Sequence, residues 1–200
     1  MSFWDSRYDR PDYVFGEAPN AFLAANAHRL KGYGTALAVA DGEGRNGVFL
    51  AEQGLAVLAV DASPVGLTKA DRLARKRGVS LTTHCLDIAD YDWPAASFDV
   101  VVGMFIQFAP PALREAMFAG MVRTLTPGGL LLIQGYRPQQ LAHGTGGPSD
   151  PDKLYTEDLL RAQFAGLEII SLESYDTELA EGSAHAGLSA VIDLVARKPE

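Results

Sequence analysis

Apolar residues in this chain fall into short runs separated by stretches of helical spacing. Runs at 35–40, 56–60, 80–86, 98–105 and 130–133 are four to eight residues long and mostly unbroken by charge, as expected for buried strands. Between them the spacing predicts helices at 45–53, 63–77, 110–125 and 157–164. Ser63-Pro64 makes a helix start and Gly78 a stop, Pro110-Pro111 starts the next helix, and Thr156 is placed to cap the last. Leu113, Met117, Met121 and Leu125 recur every four residues, a stripe expected to pack on a sheet. Pro127-Gly128-Gly129 predicts a tight turn feeding the strand at 130–133. Residues 1–31 read as a helical extension, with Pro19 as a first helical residue, Gly32 as a stop, and Phe22, Leu23, Ala27 and Leu30 at roughly helical spacing. The last two runs, 167–175 and 188–196, are joined by ten to twelve residues without helical periodicity. That is too short for a helical crossover, so the last strand should run antiparallel to the sixth. The 138–151 segment, rich in Gly and Pro, reads as a mobile loop that covers a site.

The chemistry concentrates where the first run ends. Gly42-Glu43-Gly44-Arg45-Asn46-Gly47 follows a strand and opens a helix, and seventeen residues past Gly44 the next strand ends in Asp61. Glycines permit a tight turn and a close backbone approach, and the helix N-terminus offers N–H groups to an anionic end. The acid at the second strand end can accept the two ribose hydroxyls of a nucleoside. The third run ends in Asp87-Ile88, an acid for an adenine amino group with an apolar neighbour for the ring. The pattern fits both NAD and S-adenosyl-L-methionine (SAM). A dinucleotide enzyme usually places this turn near its N-terminus and adds a catalytic domain, whereas about forty residues precede it here in a chain of 200.

At this point residues 33–198 resemble the class I SAM-dependent methyltransferases. The ends resemble the tellurite-resistance (TehB-like) branch, through Phe3-Trp4-Asp5-Ser6-Arg7-Tyr8, Tyr13-Val14-Phe15-Gly16, Pro19-Asn20-Ala21-Phe22-Leu23, Gly144-Thr145-Gly146-Gly147-Pro148, and Glu181-Gly182 with His185 and Gly187. The resemblance implies a Rossmann-like α/β fold, with a seven-stranded sheet of order 3-2-1-4-5-7-6, the last strand antiparallel, and helices on both faces. It implies a helical cap at 1–32 on a SAM-binding domain at 33–200, together one compact domain. It implies SAM as cofactor and a soft acceptor such as tellurite, selenite or a thiol-like metabolite. An NAD(P)-dependent oxidoreductase and a non-catalytic SAM-binding protein remain alternatives. One position departs from the family. The strand acid four residues before the first glycine is Ala38 here, while Asp41 appears in the turn and is placed to take over its role.

Composition narrows the partners. With 48% hydrophobic and 21% charged residues the chain reads as a soluble α/β protein, and a net charge of −8 argues against nucleic acid. The basic stretch 69–77 reads as a solvated helix face. The single cysteine, Cys85, fits a reducing cytoplasm and is expected to pack inside its strand. The N-terminus lacks a signal peptide's pattern and no run reaches membrane-spanning length, so a cytoplasmic monomer or homodimer working on a small molecule is expected.

Methyl transfer from a sulfonium asks the protein mainly for alignment and exclusion of water. The expected cofactor residues are Arg7, Tyr13, Asp41, Gly42, Gly44, Asp61, Ala62, Asp87, Ile88 and Met104. Those on the acceptor side are His185, Arg137, Tyr136 and Gln107. His185 is either a base or oxyanion partner, or a loop histidine bonded to Glu181. Arg137 either meets an anionic acceptor or pairs with an acid. No His/Cys cluster has metal-ligand spacing, so no catalytic metal is expected.

Overall fold

The computed structural model describes residues 2–200. In chain order the elements are α1 (Phe3–Tyr8), α2 (Ala21–Ala25), β1 (Thr35–Val39), α3 (Arg45–Glu52), β2 (Ala56–Asp61), α4 (Pro64–Arg77), β3 (Thr82–Cys85), β4 (Phe98–Met104), α5 (Pro111–Thr124), β5 (Leu125–Tyr136), α6 (Gln140–His143), α7 (Glu157–Gln163), β6 (Glu168–Glu181) and β7 (His185–Arg197). The strands form one sheet of order β3-β2-β1-β4-β5-β7-β6, the order that the family resemblance implies. The β1–β2, β2–β3 and β4–β5 pairs are parallel, and β7 lies antiparallel to β5. Among the described residues no helix is long and apolar enough to cross a membrane. Contacts divide the chain into two units: the part through Tyr91 with Glu181–Ala184, and Asp92–Ala180 with His185–Glu200.

In the first unit β1 buries Ala36 to Val39, and β2 buries Val57, Ala59 and Val60. Helix α4 begins as its sequence requires: the Ser63 hydroxyl accepts from the Gly66 N–H at 3.1 Å, Pro64 stands at the first position, and Gly78 ends the helix at φ 72°. Val48 of α3 packs on Leu73 and Ala74 of α4, with Tyr13, Val79 and Leu81 around them. The N-terminal segment departs from a continuous helix. It is α1, a strap of turns and bends, and then α2 capped by Asn20, whose side chain accepts from the Leu23 N–H at 3.0 Å; Pro19 lies outside the helix.

The strap is held by buried charge. Glu43 in the glycine turn is 3% exposed and pairs with Lys69 of α4, itself 6% exposed. The Lys69 ammonium also donates to the carbonyls of Tyr8 (3.2 Å), Arg10 (3.1 Å) and Asp12 (2.6 Å). The other Glu43 oxygen accepts from the Val14 N–H at 2.7 Å. Lys69 is therefore not part of a solvated face, as the basic stretch implied. A second buried pair joins Arg45 to Glu181 at 2.7 Å, and Glu181 also accepts from Asn20 Nδ2 and the Ala21 N–H. Cys85 is exposed rather than packed, because β3 is an edge strand with little covering it.

In the second unit Val100 to Val102, Leu130 to Ile133 and Ala190 to Ala196 supply the buried strand residues, apart from the partnered Asp193. Met117, Met121 and Leu125 are buried as the stripe predicts, while Leu113 at its start is half-buried. Gly120 beside them is obligatory, since a Cβ there would lie 2.3 Å from the Trp93 ring. The terminal hairpin is longer than the apolar runs indicate. β6 and β7 extend toward each other until only residues 182–184 connect them. The 138–151 segment is also more ordered than its composition implies. It contains α6, and the buried Gln140 side chain donates to Thr145 Oγ1 (3.0 Å) and Gly146 O (3.1 Å) while accepting from the Ala190 N–H (2.8 Å).

Removing one member of a buried ion pair strands the other charge, at a cost of about 3–5 kcal/mol. Lys69→Met is expected to lose stability in that range in urea unfolding, because it also strips three carbonyls of their donor. Glu43→Gln strands the Lys69 charge and should fall in the same range, toward its lower end, since its amide oxygen still accepts from Val14 and the lysine keeps its carbonyls. A loss near zero for Glu43→Gln would show that the strap's carbonyl contacts and not the charge pair are what matters.

Candidate functional site

The first unit builds its part of the site from the turn after β1. Ala40 (φ 50°), Gly42 (φ 58°) and Gly44 (φ 88°) are all left-handed, which turns the chain sharply between β1 and α3. Ala40 pays for this with strain of about 1 kcal/mol or more that glycine would not carry. Asp61, at the end of β2, fixes the turn: Oδ2 accepts from the Gly42 N–H and Oδ1 from the Ser63 N–H, both at 2.8 Å. Burial raises the Asp61 carboxyl above its ordinary range, while the Ser63 and Gly42 N–H groups pull it back.

The glycines of this turn have packing partners of their own. A Cβ on Gly42 would meet the Tyr8 hydroxyl at 2.5 Å, one on Gly44 would meet the Ala70 Cβ of α4 at 2.4 Å, and one on Gly47 would meet Asp41 Oδ2 at 2.4 Å. Gly44 is thus required by the close approach of α4, where the sequence pointed to the approach of a ligand. Both Asp41 oxygens accept from the Gly47 N–H at 3.1 Å, so this carboxylate serves the first turn of α3. Burial pushes its carboxyl up to about 7, against the lowering effect of Gly47 and Arg45. Asp87 is exposed beside the buried Ile88 and accepts from the Ala89 N–H at 3.0 Å; Ala62 is exposed.

The N-terminal aromatics divide between two jobs. Tyr8 is buried against Gly42 and stacks on Trp4, and its phenol is pushed up by burial and the nearby Asp61 and Glu43. Tyr13 turns to α4, donating to Lys69 O at 3.1 Å and accepting from Arg72 Nε at 3.3 Å, away from the glycine turn. Arg7 is exposed, its guanidinium 5.6–6.0 Å from the ring centres of Phe15, Trp4 and Phe3.

In the second unit Met104 ends β4 and Phe105 follows at φ 56°, a second strained non-glycine residue at a strand end. The Phe105 N–H is anchored by Gln134 O at 2.8 Å. Its ring lies 4.3 Å from the His185 ring and 4.7 Å from Tyr136, and Tyr136 meets His185 edge-on at 5.8 Å. Phe105 stands directly after β4, among the positions expected from the sequence to border the site. The structure thus brings His185 and Tyr136 together and sets two other residues apart. Gln107 donates to Tyr136 O and Lys153 O (both 2.9 Å) and accepts from the Tyr136 N–H, so its amide holds the end of β5. Arg137 pairs with Asp176 of β6.

Comparison with known proteins follows these features. Residues 36–129 match the family model described as a methyltransferase domain. A solved structure concerned with the conversion of a disulfide bond into a thioacetal group during echinomycin biosynthesis superposes with a TM-score of 0.79 and 21% identity, over 98% of this chain and 90% of that one. This is the class I SAM-dependent methyltransferase fold. TehB from Haemophilus influenzae gives a TM-score of 0.73 at 16% identity, covering 98% of this chain and 66% of that one. The 2-heptyl-1-hydroxyquinolin-4(1H)-one methyltransferase of Mycobacteroides abscessus is 25% identical over 126 residues; the match spans 62% of this chain and just over half, 55%, of that relative.

The donor set fits an adenosine. Each Asp61 oxygen retains acceptor capacity beyond its one N–H bond, and the exposed Asp87 carboxylate adjoins the apolar Ile88. The methionine end is less provided for in the methyltransferase fold of this chain, because Ala38 carries no carboxylate and Asp41 faces Gly47.

An acid whose folded pKa is raised binds protons that the unfolded chain has released, so it lowers stability as pH rises through the folded pKa. For Asp41 that window runs from the ordinary value of 3.8 up to about 7. Asp41→Asn keeps an oxygen for Gly47 and removes the charge. It is expected to melt above wild type at pH 8, with the gap shrinking below pH 7 and closing toward about pH 4; a gap that does not change with pH would show that Asp41 titrates normally.

Proposed function

We propose that the protein is a SAM-dependent methyltransferase acting on a small-molecule acceptor. The observation that carries this reading is Asp61, a carboxylate at the end of β2 held by the N–H groups of Gly42 and Ser63 beside a left-handed glycine turn. Asp61 would accept the ribose hydroxyls, Asp87 and Ile88 would receive the adenine, and the turn at Gly42 would face the amino-acid end. When bound, SAM supplies a methyl group already activated on sulfur. The chain's own residues then have to orient the acceptor and exclude water, which can remove a large part of the barrier without a nucleophilic side chain.

The acceptor-side assignment rests on Phe105, Tyr136 and His185. Tyr136 and His185 are 2% and 9% exposed, so the cluster is largely closed to water. A histidine there can take a proton from a protonated acceptor, and an ionised acceptor makes that step unnecessary. Gln107 and Arg137 leave the catalytic set, since their polar groups are committed to backbone and to Asp176. For the acceptor we infer a soft or already ionised nucleophile, a chalcogen oxyanion such as tellurite or selenite, or a thiol-like metabolite. The resemblance of the chain's ends to the tellurite-resistance branch supports the first, and the likeness to a hydroxyquinolone methyltransferase supports an organic acceptor. A second reading, a SAM-binding protein without turnover, draws on the missing strand acid at Ala38.

Calorimetric titration with SAM, its demethylated product and NAD tests the assignment. Wild type is expected to bind the first two and not NAD, and Asp61→Ala to weaken SAM by about ten- to a hundredfold through lost charge-assisted hydrogen bonds. His185→Ala is expected to keep SAM affinity while slowing methyl transfer, the mark of a contact that matters in the transition state. NAD binding in place of SAM would establish an oxidoreductase, and SAM binding without turnover on any of these acceptors would favour the second reading.

A further inference from the structure

Residues 138–147 of the second unit, which contain α6, are stitched onto β7 by one side chain. Gln140 is 1% exposed, and its amide uses its oxygen and its nitrogen in that contact. Oε1 accepts from the Ala190 N–H at 2.8 Å, while Nε2 donates to Thr145 Oγ1 at 3.0 Å and to Gly146 O at 3.1 Å. Thr145 continues the chain by donating to Leu188 O at 2.6 Å. At the start of the segment the Arg137 N–H donates to Ala190 O at 2.9 Å, so Ala190 is gripped by both of its backbone polar groups. An unmade bond at that depth costs more than a made one contributes, and the set closes as a unit.

The far end of the segment rests on an aromatic ring. Gly147 (φ 82°) lies so close to Tyr136 that a Cβ there would stand 2.8 Å from ring carbon Cδ2. Phe105 covers the same ring at 4.7 Å between centres. Tyr136 is therefore held by the segment as well as by its neighbours in the core. It meets the His185 ring at 90° and 5.8 Å, and Phe105 lies 4.3 Å from that histidine. Aromatic pairs have preferred geometries. Where Tyr136 is held thus decides the plane of the His185 imidazole.

We propose that Gln140 is a positioning residue for the acceptor-side histidine. By pinning residues 138–147 to β7 it lays Gly147 on Tyr136, and Tyr136 in turn orients His185. The inference rests on the reading of Phe105, Tyr136 and His185 as the acceptor side. It also changes the role of the segment. A run rich in glycine reads as a mobile cover, whereas the bonds of Gln140 make it a fixed wall behind the aromatic cluster, so His185 is set in place before any acceptor arrives.

Histidine carbon–proton NMR spectra of the full chain test this, with the His185 signal assigned by its loss in His185→Gln. Neighbouring rings displace the resonances of an imidazole, so wild-type His185 is expected well away from the exposed His28 and His84. Gln140→Met fills the same space without hydrogen bonds. It should reduce the displacement by at least half and speed exchange of the Ala190 amide about tenfold, as expected for one lost hydrogen bond. Thr145→Val cuts only the link to Leu188 and should move both readouts the same way and less; it decides the matter if Gln140→Met does not fold. Lys198→Met is the control for stability alone. Its ammonium donates to the carbonyls of Val122 and Leu125, away from the segment, so its loss should lower the melting temperature and leave His185 where it is. Unmoved His185 signals in Gln140→Met overturn the proposal, whether or not Ala190 exchanges faster. So does a Lys198→Met protein that moves them equally, or a wild-type His185 that resonates with His28. Failure of wild type to bind the demethylated cofactor in calorimetry overturns the methyltransferase reading beneath the inference; cofactor binding with unmoved His185 signals overturns the inference alone.

Discussion

The ion pair between Glu43 and Lys69 holds the first unit's site in one piece. Glu43 stands inside the glycine turn and Lys69 on the helix that follows the second strand, and each is nearly inaccessible to water. Neither charge is tolerable alone at that depth. Their remaining hydrogen-bonding capacity is taken up by the strap: Val14 donates to the carboxylate, and the carbonyls of Tyr8, Arg10 and Asp12 accept from the ammonium. Everything the N-terminal segment contributes follows from this. Tyr8 reaches Gly42, and Asp5 accepts from the Ser63 hydroxyl at 2.6 Å.

Central strands were legible in the sequence, whereas the edge strands were located without the full length of β6 or the exposure of β3. A strand covered on both faces must be apolar throughout, so β1, β4 and the middle of β5 appear as runs that no helix pattern imitates. β6 lies at the edge of the sheet, and Ser171, Glu173, Asp176 and Glu178 break its pattern within a single strand. Its true length is set by pairing with β7, which composition does not register. The same holds for Cys85. An apolar neighbourhood along the chain implied a packed thiol, and only the position of β3 at the other edge leaves it exposed.

At the candidate site the structure gives several of the expected residues a packing role of their own. Gly42 and Gly44 belong to the turn as expected, yet the atoms that forbid a side chain there are the Tyr8 hydroxyl and Ala70. Asp61 was visible as a strand-end acid, whereas its grip on Gly42 and Ser63 is a matter of rotamer and register. Lys69 resembled its exposed neighbours Lys76 and Arg77, because one helix carries both a buried and a solvated stripe and charge alone does not tell them apart. Gln107 and Arg137 illustrate the converse. Polar groups after strand ends are natural substrate contacts, until a backbone or a facing aspartate claims them first.

The Arg45–Glu181 pair has a consequence for how the protein comes into being. Arg45 is made early, in the first quarter of the chain, and its buried partner lies near the end. Domains generally fold as they leave the ribosome, N-terminal part first. Here the nascent first unit must wait for residues 181–184 before it is electrostatically complete, with an uncompensated guanidinium and an undocked strap in the meantime. Chains truncated before the terminal hairpin would therefore be marked by an exposed cation at the glycine turn, and quality control would have a feature by which to distinguish unfinished from finished copies.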